Sequence, residues 1–137
     1  MPSGGKAFLS VRDGDKARAI EVGRALVGLG FGLVATRGTA AALEKAGLTV
    51  QYINKVQEGR PHIVDMLKNR EVTLIVNTVE EDQRSIKDSH SIRITALQNR
   101  ITYYTTIAGA RAACVGMKHL QELRAYDIQS LHESLPA

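Results

Sequence analysis

Short apolar runs separated by polar turns and helix-period segments set the tightest limit on what this chain can become. The runs are 7–10, 31–35, 50–53, 72–76 and 101–104, each bounded by polar or glycine-containing residues. Each is too short for a stable helix and suits a buried strand. Strands joined through helical crossovers pair in parallel, so the pattern predicts a five-stranded α/β domain with both sheet faces covered. Between the first two runs, residues 15–29 place Ala19, Val22, Leu26 and Leu29 on one stripe, and Gly30 ends the helix. Further helices are expected over 39–46, closed by Gly47, over 61–69, opened by Pro61, and over 108–123. Residues 128–131 are expected to add a short edge strand or helix.

With 137 residues, 44% of them hydrophobic, the chain is sized for one domain with a substantial core. Residues 1–5 read as a lead-in and 6–137 as that domain. No apolar run approaches the ~18 residues of a membrane span, and the first residues lack a signal-peptide pattern. A soluble, cytoplasmic protein is expected. The single cysteine, Cys114, reads as a small buried thiol, with neither a disulfide framework nor a zinc site. His90, His119 and His132 have no ligand-spaced partners, so no metal is expected. A net charge of +4 invites a nucleic-acid reading. The 4% aromatic content and the scatter of Lys and Arg supply no stacking platform or basic stripe, so neither nucleic acid nor membrane is an expected partner.

The chemistry gathers where the runs end. Ser10 closes the first run and leads through Arg12, Asp13, Gly14 and Asp15 into a helix, with Asp15 as its expected cap and Lys16 just beyond. Thr36, Gly38 and Thr39 repeat the arrangement after the second run, and Asn77 and Thr78 more loosely after the fourth. Hydroxyls, helix-opening amides and an ammonium are the donors a phosphate requires. Gly38 is expected to let backbone amides approach the ligand. Polar loops at 57–62 and 80–89 also follow strand ends, the edge where open α/β sheets bind ligands, and read as pocket walls. A competing reading makes Ser10 and Thr36 helix caps and Lys16 and Lys55 solvated surface residues. His62, after Pro61, reads as a structural or interface residue.

Taken in order, 9–16 (LSVRDGDK), 35–40 (ATRGTA), 54–63 (NKVQEGRPHI), 76–78 (VNT) and 104–106 (YTT) resemble the C-terminal allosteric domain of carbamoyl-phosphate synthase large subunits, within the methylglyoxal-synthase-like superfamily. The resemblance spans nearly the whole chain. It implies a three-layer α/β/α domain with strand order 3-2-1-4-5. It also implies a regulatory module for nucleoside monophosphates, UMP or IMP, with ornithine acting nearby. The module itself needs no cofactor; ATP, Mg and bicarbonate are used by the parent's catalytic domains. Those domains and a glutaminase small subunit are the implied partners, serving pyrimidine and arginine synthesis. By the same resemblance, Ser10, Lys16, Thr36 and Thr39 correspond to phosphate-holding positions, and Lys55 and Asn77 to positions facing ribose and base. Arg84 is what remains of a paired-arginine motif, and Tyr103 and Thr105 match positions that contact ornithine, with strand-end packing as their alternative.

Residues 79–84 depart from the family pattern. Val79 replaces a threonine, and Glu80, Glu81 and Asp82 bring acids near the expected phosphate. The rival reading from another class is a methylglyoxal synthase acting on dihydroxyacetone phosphate. That lyase needs a carboxylate base and a histidine, whereas Arg12 and Asp13 follow the first run, and 58–62 (EGRPH) replaces the segment carrying the base. A cyclohydrolase relative needs a longer chain, and a ligand-free interaction module leaves the repeated strand-end donors unexplained. The sequence reading therefore favours effector sensing over catalysis.

Overall fold

The computed structural model describes residues 5–54, 62–79 and 83–134, with several side chains in the last segment outside that description. Five strands, β1 (Lys6–Ser10), β2 (Gly32–Ala35), β3 (Val50–Tyr52), β4 (Val72–Asn77) and β5 (Thr102–Tyr104), form one sheet of order β3-β2-β1-β4-β5. All pairings are parallel. The helices are α1 (Lys16–Gly28), α2 (Arg37–Lys45), α3 (Ile63–Lys68), α4 (Gln83–Gln98) and α5 (Ile107–Ser134), with a 3-10 turn at Asp13–Asp15.

Strand alternation divides the core into two layers. Ala7, Leu9, Leu33, Ala35, Leu74 and Val76 face α1, α2 and α5, meeting Ala19, Val22, Leu26, Leu43, Ala110 and Met117. Phe8, Val34 and Ile75 face the opposite way, onto Ile63, Met66 and Leu67 of α3 and Ile92 and Ala96 of α4. Val72 joins this second layer despite sharing parity with Leu74 and Val76. An irregularity explains it: Lys6 pairs with Val72 but Ala7 pairs with Leu74, so Thr73 is an extra residue that reverses the alternation.

Helices α1 to α4 end alike. The N–H groups of Phe31, Leu48, Glu71 and Ile101 reach back to Leu26, Leu43, Met66 and Ala96, with the preceding residue left-handed each time. Gly30 and Gly47 supply that conformation after α1 and α2, as their sequence positions predict. Arg70 and Arg100 supply it after α3 and α4, at φ 58° and 55°.

The structure corrects several expectations. Residues 83–89 are the first turns of α4, not a loop; exposed Ile94 and Leu97, interspersed with the buried Ile92 and Ala96, hid its period. Helix α2 begins at Arg37, two residues before the expected start at Thr39, so Gly38 lies inside its first turn. Helix α5 runs to Ser134, well past 123, which makes 128–131 helix and not strand. Asp15 stands at the start of α1 without making a side-chain cap; its carboxylate takes Arg12 Nε at 2.9 Å.

Candidate functional site

The carboxyl ends of β1, β2 and β4 lie side by side, and their turns are tied together by side-chain hydroxyls. Ser10 is in register with Asn77 across β1 and β4. Thr36, buried at the start of α2, donates its hydroxyl to Ser10 Oγ at 3.2 Å instead of capping its helix. Thr39 is 2% exposed, and its Oγ1 accepts the Val11 N–H at 3.1 Å, which holds the β1 turn against α2. Thr78 does the same from the other side: its Oγ1 accepts the Arg12 N–H at 3.0 Å and its own N–H donates to the Ser10 carbonyl.

Lys16, in the first turn of α1, reaches across to α2. Its ammonium pairs with Asp13 and lies over Gly38, where a Cβ would stand 3.0 Å from Nζ. Gly38 therefore makes room for the Lys16 side chain. The first-turn amides of α2 have no partners within the helix, and its dipole adds positive potential. Ser10, Thr36, Thr39, Lys16 and the start of α2 thus form one wall of hydrogen-bond donors, the chemistry suited to an oxyanion.

Asn77 and Tyr103 belong to a second cluster. The Asn77 side chain, in a residue only 5% exposed, donates to Tyr103 Oη at 2.9 Å and to Ser89 Oγ at 3.3 Å. Sequence reasoning assigned Asn77 and Tyr103 to different ligands; here they hydrogen-bond directly, across β4 and β5. Thr105 is exposed beyond the end of β5. Lys55, the side chain of Arg84, and residues 80–82 lie outside the described residues. His62 sits at the start of α3, where its N–H donates to Asp65 Oδ2 at 3.1 Å.

Ser89 was missing from the expected set, in which Thr78 had no ligand role of its own. Thr78 was visible within the third strand-end repeat. Ser89 depended on α4, whose helical period was not recognised. At the outer edge of the sheet, Tyr52 donates to Asn54 Oδ1 at 2.8 Å while the Arg37 guanidinium lies over its ring. A separate groove of about 660 Å³ runs between α1 and α5 over Val22, Leu29 and Cys114. Two polar contacts border it: Arg111 pairs with Glu21 at 2.7 Å, and Gln121 donates to the Leu29 carbonyl. Burial pushes the Cys114 thiol pKa up; burial and then the neighbouring Cys114 raise that of Tyr104. Among the described residues no cluster of His, Cys, Asp and Glu is arranged to hold a metal ion, and no helix is long and apolar enough to cross a membrane.

A parallel sheet of this order defines an α/β domain whose central strand-end donors lie at the edge where open α/β sheets bind ligands. The chain belongs to the MGS-like domain family, whose model matches residues 18–105. It is 59% identical over 135 residues to the carbamoyl phosphate synthase large chain of Ralstonia nicotianae, covering 98% of this chain and 12% of that one. The corresponding large chain of Pseudomonas syringae pv. tomato is 54% identical over 137 residues, covering 100% of this chain and 13% of that one. The chain thus spans about an eighth of the length of these curated relatives. Among solved structures, methylglyoxal synthase from Elizabethkingia anophelis superposes with a TM-score of 0.64 at 15% identity, covering 83% of this chain and 79% of that one, a likeness of fold.

Proposed function

We propose that this domain is the effector-sensing module of a glutamine-dependent carbamoyl-phosphate synthase large subunit and that it binds a nucleoside monophosphate of the UMP or IMP type. The observation that carries the reading is the convergence of the Ser10, Thr36 and Thr39 hydroxyls and the Lys16 ammonium at the ends of β1 and β2. A phosphate there bridges the start of α1 to the start of α2, and the bridge alters the surface offered to the parent's catalytic domains. Allosteric couplings of this kind amount to about 1–3 kcal/mol. Asn77 and Lys55 serve the ribose and base, Arg84 adds a donor near the phosphate, and Tyr103 and Thr105 face ornithine. Control of carbamoyl phosphate supply to pyrimidine and arginine synthesis, in the cytoplasm, completes the reading, with ATP, Mg and bicarbonate handled outside this module. The module itself does no chemistry.

A thermal-shift titration with UMP, IMP, ornithine and inorganic phosphate tests it, because a ligand of the folded state raises the melting temperature. A shift with a nucleoside monophosphate that is lost in Lys16→Ala is the expected result. Equal melting curves with every ligand, or robust methylglyoxal formation from dihydroxyacetone phosphate, would sink it.

A further inference from the structure

The Lys16 ammonium is held from two directions. On one side it pairs with the Asp13 carboxylate, from the turn ahead of α1. On the other it rests against the bare Cα of Gly38, where a Cβ would come within 3.0 Å of Nζ and 3.7 Å of Cε. Gly38 lies in the first turn of α2, a helix of 9 residues, so the cation sits over a helix start, where the dipole favours anions. The Asp13 carboxylate offsets that unfavourable placement. Its side chain is 86% exposed against 28% for Lys16, so the carboxylate approaches from solvent, as a dissolved anion would.

We propose that Asp13 is a tethered counter-ion of the phosphate seat, competing with the ligand for Lys16 and thereby setting its affinity. The inference rests on the phosphate-binding reading above. A singly charged ligand that displaces Asp13 exchanges one carboxylate-like charge for another. A phosphate monoester brings about −1.5 to −2 charges and three acceptor oxygens, enough to take Lys16 together with the hydroxyls and the α2 amides. Gly38 completes the device, because a side chain there would push the ammonium out of reach of one partner or the other.

Calorimetry at low ionic strength, with inorganic phosphate and acetate as the doubly and singly charged probes, decides the matter. An exposed ion pair of this kind is modest, so Asp13→Asn should tighten phosphate binding about two- to fivefold. The gain should vanish in a Lys16→Ala background, and acetate should tighten by the same factor as phosphate in Asp13→Asn, because both displace the same carboxylate. Asp13→Ser should behave as Asp13→Asn does, which separates lost charge from altered turn geometry. Phosphate binding that is unchanged or weaker in both Asp13 variants would overturn the proposal and leave the phosphate seat standing. No binding to any form, wild type included, would remove both.

Discussion

The Thr36 hydroxyl donates to the Ser10 hydroxyl at 3.2 Å, joining the ends of two neighbouring strands by side chains alone. Both oxygens keep lone pairs, and the Ser10 hydrogen is free to turn toward a ligand. Thr36→Val preserves shape and removes this link. Its expected cost in stability is about 1 kcal/mol, the usual net value of one hydrogen bond. Nucleoside monophosphate affinity should fall as well, because without that link the Ser10 hydroxyl is no longer held in orientation to donate to the phosphate. Urea melts and calorimetry on the same samples measure the two effects separately.

Thr39 has a structural duty that its neighbour lacks. Its oxygen is the acceptor for the buried Val11 N–H, so Thr39→Val strands a backbone donor and should destabilise by about 1–3 kcal/mol. Thr39→Ser retains the acceptor and should recover most of that loss. Equal urea midpoints for the Val and Ser variants would contradict the assignment.

Tyr103→Phe removes the nearer acceptor of the Asn77 amide and leaves only Ser89, at 3.3 Å. A half-satisfied buried amide should lower stability by about 1–3 kcal/mol. Pairing the change with Asn77→Ala in a double-mutant cycle should show clear coupling between the two positions; strictly additive losses would argue against the hydrogen bond.

Arg100 ends α4 in a left-handed conformation, at φ 55°. For a residue with a Cβ this costs about 1–2 kcal/mol, part of which glycine returns as chain entropy on unfolding. Arg100→Gly is therefore expected to stabilise the domain by up to ~1 kcal/mol. Differential scanning calorimetry would show a higher melting temperature, and a lower one would refute the expectation.

The Cys114 thiol, buried between α1 and α5, has its pKa pushed up by desolvation. A raised folded-state pKa contributes stability that is fully present below the unfolded thiol value of about 8.5 and is lost as pH climbs through the folded value. Stability should therefore fall on the alkaline side of about pH 8.5. Cys114→Ala should flatten part of that decline, and labelling of the thiol at neutral pH should be slow until urea unfolds the chain. Tyr104, raised by burial and by Cys114, contributes in the same direction at higher pH.

Much of the fold is written locally. Short apolar runs closed by Ser10, Thr36 and Asn77 mark strand ends, and Gly30 and Gly47 mark helix ends, because each signal depends on a few adjacent residues and their backbone preferences. The family likeness is carried the same way, in ordered motifs along the chain. Helix α4 escaped notice because, among the described residues, only Ile92 and Ala96 of it join the buried layer, while Arg70 and Arg100 close α3 and α4 where glycine would have announced the stop.

What tertiary structure alone decided is which donors meet. Whether Thr36 caps its helix or reaches Ser10, and whether Asn77 turns to a ligand or to Tyr103, depends on strands far apart in sequence that become neighbours only in the sheet. Helix placement likewise determines that Lys16 lies over Gly38 with Asp13 against it. Local propensity carries no information about contacts across such distances. The sequence by itself therefore determined the strands, the edge at which the polar residues gather and the family, and packing determined which of those residues hold one another in the fold.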